Sequence, residues 1–73
     1  MAEFSERLKE LRKTSKKSQS EIAEYLGVKP RALRFYESGD RHPDFKGLVK
    51  IANYFNVSTD YLLGRTDNPK FDK

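Results

Sequence analysis

The sequence predicts an all-α fold of five short helices in which the second and third form a helix-turn-helix. Three observations predict it. Apolar residues recur at helical spacings, Ser or Asp stands where three of the periodic runs begin, and Gly or Asn stands where three of them end. The apolar fraction of 36% is low, but its concentration at those spacings argues for a folded chain rather than a disordered one. Seventy-three residues allow one domain with one small core, and a deep catalytic cleft with its own supporting shell does not fit easily. No nucleophile and base stand in a plausible constellation, so a non-enzymatic binding module is expected.

The first helix spans Phe4 to Thr14, with Phe4, Leu8 and Leu11 as an apolar stripe at i, i+4 and i+7. Glu3, Glu6 and Arg7 read as its wet face, Glu3 standing four residues before Arg7 for modest helix-pair support. The connection at residues 13–17, KTSKK, is polar and basic and reads first as a solvated loop. It leads, however, into Ser18 at a helix N-terminus, where free N–H groups and the positive dipole end favour a phosphate, with Lys17 beside it. Ser18 and Glu21 form a capping box for the second helix, whose face is Ile22, Ala23 and Leu26. Gly27 ends it in a left-handed cap and Val28 tucks behind.

The third helix follows at once, from Pro30 to Ser38. Pro30 suits the first turn, where its missing N–H costs nothing. Leu33 and Tyr36 point back at the second helix, and so short a Gly-containing turn makes the pair a helix-turn-helix. The side chains left facing outward are Lys29, Pro30, Arg31 and Arg34, with Phe35 further along. Gly39 ends this helix. The fourth starts at Asp44, which caps it, and lays Leu48, Ile51, Ala52 and Phe55 on the core. Gly47 inside it costs about 1 kcal/mol relative to Ala, which suggests the close approach of another group. Asn56 closes it, Ser58 caps a last helix, and Tyr61, Leu62 and Leu63 pack that helix down. Residues 1–64 therefore form the domain. Residues 65–73, polar and aperiodic, read as a flexible tail or the start of a linker, with Phe71 alone hinting at docking.

Cysteine is absent, so no disulfide framework or thiolate metal site exists, and the single His42 reads as a surface loop residue rather than a metal ligand. No cofactor or small-molecule site is evident. No apolar run is long enough to span a bilayer, and the N-terminus lacks a signal-peptide core. A formal charge of +4 and a pI near 9.5 favour a polyanionic partner, without distinguishing DNA from RNA or an acidic protein surface.

Leu8, Leu11, Arg12, Gln19, Ile22, Ala23, Leu26, Gly27 and Val28 in this order, then Leu33, Tyr36, Glu37, Gly39 and Pro43, then Leu48, Ile51, Ala52, Phe55, Val57, Tyr61, Leu62 and Leu63, carry a resemblance. The chain resembles the Cro/CI-type (Xre) helix-turn-helix regulators, with a lambda-repressor-like DNA-binding domain, over nearly its whole length. The resemblance implies a sequence-specific transcriptional regulator of double-stranded DNA, a repressor by analogy, cytoplasmic in a bacterial or phage setting and nucleoid-associated when bound. It implies a structural pair between Arg12 and Glu37, and a backbone grip on DNA by Gln19. It departs at Lys17, where the family commonly carries an apolar residue.

On that reading the helix from Pro30 to Ser38 enters the major groove. Arg31 is the first choice for base readout and Arg34 the second, since a guanidinium fork matches guanine O6 and N7. The rival reading makes both of them phosphate clamps. Phe35 either covers a thymine methyl or packs against a neighbour, and Pro30 reads at most by apolar contact. Lys29, Arg41 and the turn at Phe45 and Lys46 join Lys17, Ser18 and Gln19 as phosphate contacts. The resemblance further implies a homodimer on a palindromic operator, with Tyr61 and Leu62 at the two-fold contact or else simply finishing the monomer core. An antitoxin-type or other protein-interaction module on the same fold is the alternative.

Overall fold

The computed structural model describes residues 3–70. It contains α1 (Phe4–Thr14), α2 (Gln19–Leu26), α3 (Pro30–Ser38), α4 (Phe45–Phe55) and α5 (Thr59–Leu62), with no strand among the described residues. The starts follow from side-chain caps. Ser18 Oγ accepts from the Glu21 N–H at 3.0 Å while the Glu21 carboxylate accepts from the Ser18 N–H at 3.0 Å. Asp44 accepts from the Gly47 N–H at 2.8 Å, and Ser58 from the Tyr61 N–H at 3.0 Å. Each cap satisfies a first-turn donor that the helix itself cannot.

The ends follow from residues that tolerate the left-handed region. Gly27 and Gly39 close α2 and α3 at φ of 76° and 87°, and Asn56 closes α4 at 58°. Gly47 answers to a different need. A Cβ there would lie 3.0 Å from Pro43 Cβ and 3.1 Å from Asp44 Oδ1, so a side chain would fit only if those neighbours gave way slightly.

One core draws on all five helices: Leu8, Ile22, Leu33, Ile51 and Leu62 have no exposed surface. Ala23, also fully covered, keeps the α2 side of that core shallow enough for α3 to lie close. Tyr36 packs against the core from α3, and Val28 from the turn between α2 and α3.

One residue departs from the sequence reading. Arg7 is not on a wet face but is 6% exposed, its guanidinium 3.9 Å from the Tyr61 ring centroid and Nη2 3.3 Å from Asp67 Oδ1. The aromatic face of Tyr61 on α5 and the carboxylate of Asp67 beyond it both meet the guanidinium. After α5 the Pro69 carbonyl accepts from the Ser58 N–H at 3.0 Å and the Asp60 carbonyl from the Arg65 N–H at 2.8 Å. Phe71, expected to dock, lies outside the described residues. Of the two readings of α5, Leu62 follows the second and finishes the monomer core with no exposed surface, whereas Tyr61 is half-buried and Leu63 is 42% exposed.

Candidate nucleic-acid interface

A buried carboxylate braces the helix-turn-helix from behind. Glu37, near the end of α3, accepts from both Nε and Nη2 of Arg12 on α1, the second at 3.0 Å, and from Gln19 Nε2 on α2 at 3.1 Å. Arg12 also reaches the Lys17 carbonyl through Nη1 at 3.4 Å. Three helices therefore converge on one side chain that is 4% exposed. The pairing raises the Arg12 pKa above its ordinary value, so the charge is permanent. Such a brace fixes the entry of α2 relative to α3, which any rigid reading head requires.

At the α2 N-terminus the capping box has already engaged part of the expected anion site. Ser18 Oγ accepts from the Glu21 N–H, and its hydroxyl also lies beside the Glu21 carboxylate. Gln19 commits one amide proton to Glu37 and retains the other. Lys17 is exposed, with Nζ 4.0 Å from Glu21. The Glu21 carboxylate, held below its usual range first by the Ser18 backbone N–H and also by Lys17, places one negative charge beside this site.

The outward face of α3 is cationic. Lys29, Arg31 and Arg34 are exposed along with Pro30, and no acidic residue precedes Glu37 on this helix. Phe35 is half-buried, with the Arg31 guanidinium 5.8 Å and the Arg41 guanidinium 5.0 Å from its ring centroid. Lys29, Arg31, Ala32, Phe35 and Arg41 line one open hollow, so residues placed apart in sequence share a single surface. Arg41 is also tied through its main chain: the Phe35 carbonyl accepts N–H bonds from Gly39, Asp40 and Arg41 at 3.1, 3.1 and 3.3 Å. Lys46 lies apart from this group, in a second hollow with Tyr36, Pro43 and Lys50, and Phe45 beside it is 78% exposed. Asp44 caps the Gly47 N–H, which leaves the first-turn N–H groups of Phe45 and Lys46 as the donors at that helix end.

Two features had no local signal in the sequence. The Arg7 site needs a partner 60 positions away. Tyr25, 48% exposed, pairs with Tyr54 at a centroid distance of 4.7 Å, joining α2 to α4 outside the core.

This geometry defines a helix-turn-helix domain with a braced inner side and a cationic outer one. Residues 8–62 match the helix-turn-helix family, and the chain belongs to that family. It is 46% identical to the uncharacterized HTH-type transcriptional regulator YqaE of Bacillus subtilis, over 92% of this chain and 58% of that protein. Among solved structures, a transcriptional regulator from Listeria innocua superimposes with a TM-score of 0.83 at 39% identity, over 85% of this chain and 58% of the other. The P22 c2 repressor, solved in complex with a synthetic operator, superimposes with a TM-score of 0.81 at 27% identity, over 86% of this chain and 96% of the repressor. The chain thus spans less than two thirds of the Bacillus and Listeria proteins. Transcriptional regulators are not a class of enzyme. Among the described residues no helix is long and apolar enough to cross a membrane.

Proposed function

We propose that the chain is a sequence-specific, double-stranded-DNA-binding repressor domain that acts without catalysis. The observation that carries this is the exposed, acid-free N-terminal face of α3, with Arg31 and Arg34 held outward while Glu37 anchors the inner side. On this reading α3 lies in the major groove. Arg31 and Arg34 meet base edges, with Pro30 and Phe35 flanking them. Lys17, Ser18, Gln19, Lys29, Arg41 and the α4 start at Phe45 and Lys46 hold phosphates. The likeness to a repressor solved on operator DNA supports operator DNA as the partner and the negative sign of regulation. Two copies then occupy a palindromic operator with half-sites one helical turn apart, in the cytoplasm and on the nucleoid.

Selection of bound sites from a random duplex pool, followed by titration of the best site at two salt concentrations, tests the proposal. The expected result is a palindrome bound far more tightly than random DNA. Weak, salt-sensitive binding with no enriched site removes it. Within that assay Arg31→Ala should lose about 1 to 3 kcal/mol of discrimination at one base position. Lys46→Ala should weaken all sequences alike and reduce the salt slope by about 1.

A further inference from the structure

We infer that Phe35 is a positioning residue which holds a base-reading cation and a phosphate-holding cation together, so that recognition and backbone grip are coupled through one ring. The inference rests on the proposed reading of DNA by α3. Arg31 and Phe35 stand four residues apart on one helix face, the spacing at which side chains meet, and the Arg31 guanidinium lies 5.8 Å from the ring centroid. Arg41 comes from the loop after α3, yet its guanidinium is 5.0 Å from the same centroid. Both distances fall within the range over which a ring face attracts a guanidinium.

The backbone enforces the arrangement. The Phe35 carbonyl accepts from the Arg41 N–H as well as from Gly39 and Asp40, and Ser38 Oγ lies 3.1 Å from the same oxygen. The loop that carries Arg41 is therefore wound onto the residue whose ring carries its guanidinium. Gly39, left-handed at φ 87°, makes that winding possible. Two like charges on exposed stems would otherwise sample separate rotamers and avoid one another. An aromatic ring within reach of both cations restricts both before DNA arrives, which lowers the entropy lost on binding. On this inference Phe35 acts through Arg31 and Arg41, as a packing surface for two cations rather than as a thymine contact.

The test uses the site selected by the wild-type chain. Its affinity, and that of every single-base variant, is measured at two salt concentrations for wild type, Phe35→Leu, Phe35→Tyr, Arg31→Ala and Arg41→Ala. Phe35→Leu keeps apolar bulk but has no ring. It should lose discrimination about tenfold at the base position that Arg31→Ala affects, and its salt slope should fall towards that of Arg41→Ala. Phe35→Tyr should restore both.

Loss at a different base position would make Phe35 a direct base contact and overturn the proposal, as would a loss equal on all sequences with an unchanged salt slope. In the DNA-free wild-type protein, upfield ring-current shifts of the Arg31 and Arg41 side-chain protons are expected by NMR. Ordinary shifts for both would overturn the proposal even if Phe35→Leu failed to fold. Failure of the wild-type chain to select any site would remove the underlying reading. Selection by wild type with Phe35→Leu fully selective would remove this inference alone.

Discussion

Two arginines of α1 meet carboxylates far away in sequence, and the two meetings differ in kind. Arg12 and Glu37 are both largely covered, at 17% and 4% side-chain exposure, whereas Arg7 is 7% exposed and its partner Asp67 is 100% exposed. Glu37 accepts from three donors on two other helices. Its loss would leave Arg12 and Gln19 facing a hole. Asp67 touches Arg7 with one oxygen at 3.3 Å and remains fully solvated. Arg7 is held instead by the Tyr61 ring and by the burial of its own stem, and its buried Nε has no hydrogen-bond partner among the described residues. The contrast teaches that the burial of the partner, not the presence of an ion pair, decides whether an arginine organises a fold.

The largest expected effect breaks the first pair. Glu37→Ala should destabilise the domain by about 3 to 5 kcal/mol because it strands a part-buried guanidinium. At about 4 to 8 °C per kcal/mol for a domain of this size, the thermal midpoint should fall by more than about 12 °C. A midpoint within a few degrees of wild type would demote the brace to a surface contact.

Arg7 sharpens the comparison. Arg7→Ala should cost about 1 to 2 kcal/mol through lost stem packing and the lost ring contact, while Arg7→Met, which keeps most of the stem, should cost less. Equal losses for the two variants in chemical denaturation would assign the whole effect to the charge. Asp67→Asn should shift the midpoint only slightly at low salt and not at all at high salt, since an exposed pair is screened.

A third carboxylate supplies the smallest effect. Glu21 is held below its ordinary value of 4.5 first by the Ser18 backbone N–H and also by Lys17, although its side chain is exposed. A depressed carboxylate contributes stability that is present above its unfolded pKa and lost as pH falls through its lowered folded pKa. The stability difference between wild type and Glu21→Gln should therefore be complete at neutral pH and shrink on acidification below that ordinary value. A difference that persisted or grew in acid would separate the capping box from the charge of Glu21.

Most of the helical framework was legible in the sequence because its causes are local. Ser18, Asp44 and Ser58 cap helices through groups three residues away, and Gly27, Gly39 and Asn56 end helices through their own backbone preferences. The outward set on α3 was legible for the same reason: Leu33 and Tyr36 claim the inner side, and 3.6 residues per turn assigns the rest. Gly47 announced a close approach without naming Pro43. The Arg12 and Glu37 pair came with the family resemblance, since no spacing along the chain brings those two positions together.

Where each helix starts and stops, and which stripe of it is apolar, depends on neighbours within one turn and follows from residue order alone. Which polar positions are covered, and by what, depends on how the helices pack. Arg7 is covered because Tyr61 arrives from the other end of the chain, and Leu62 rather than Leu63 is the α5 residue spent on the core. Arg31, Phe35 and Arg41 become one surface because a left-handed turn at Gly39 folds the loop back over the ring. Periodicity sorts residues into faces, but the identity of the face opposite is a property of the assembled chain.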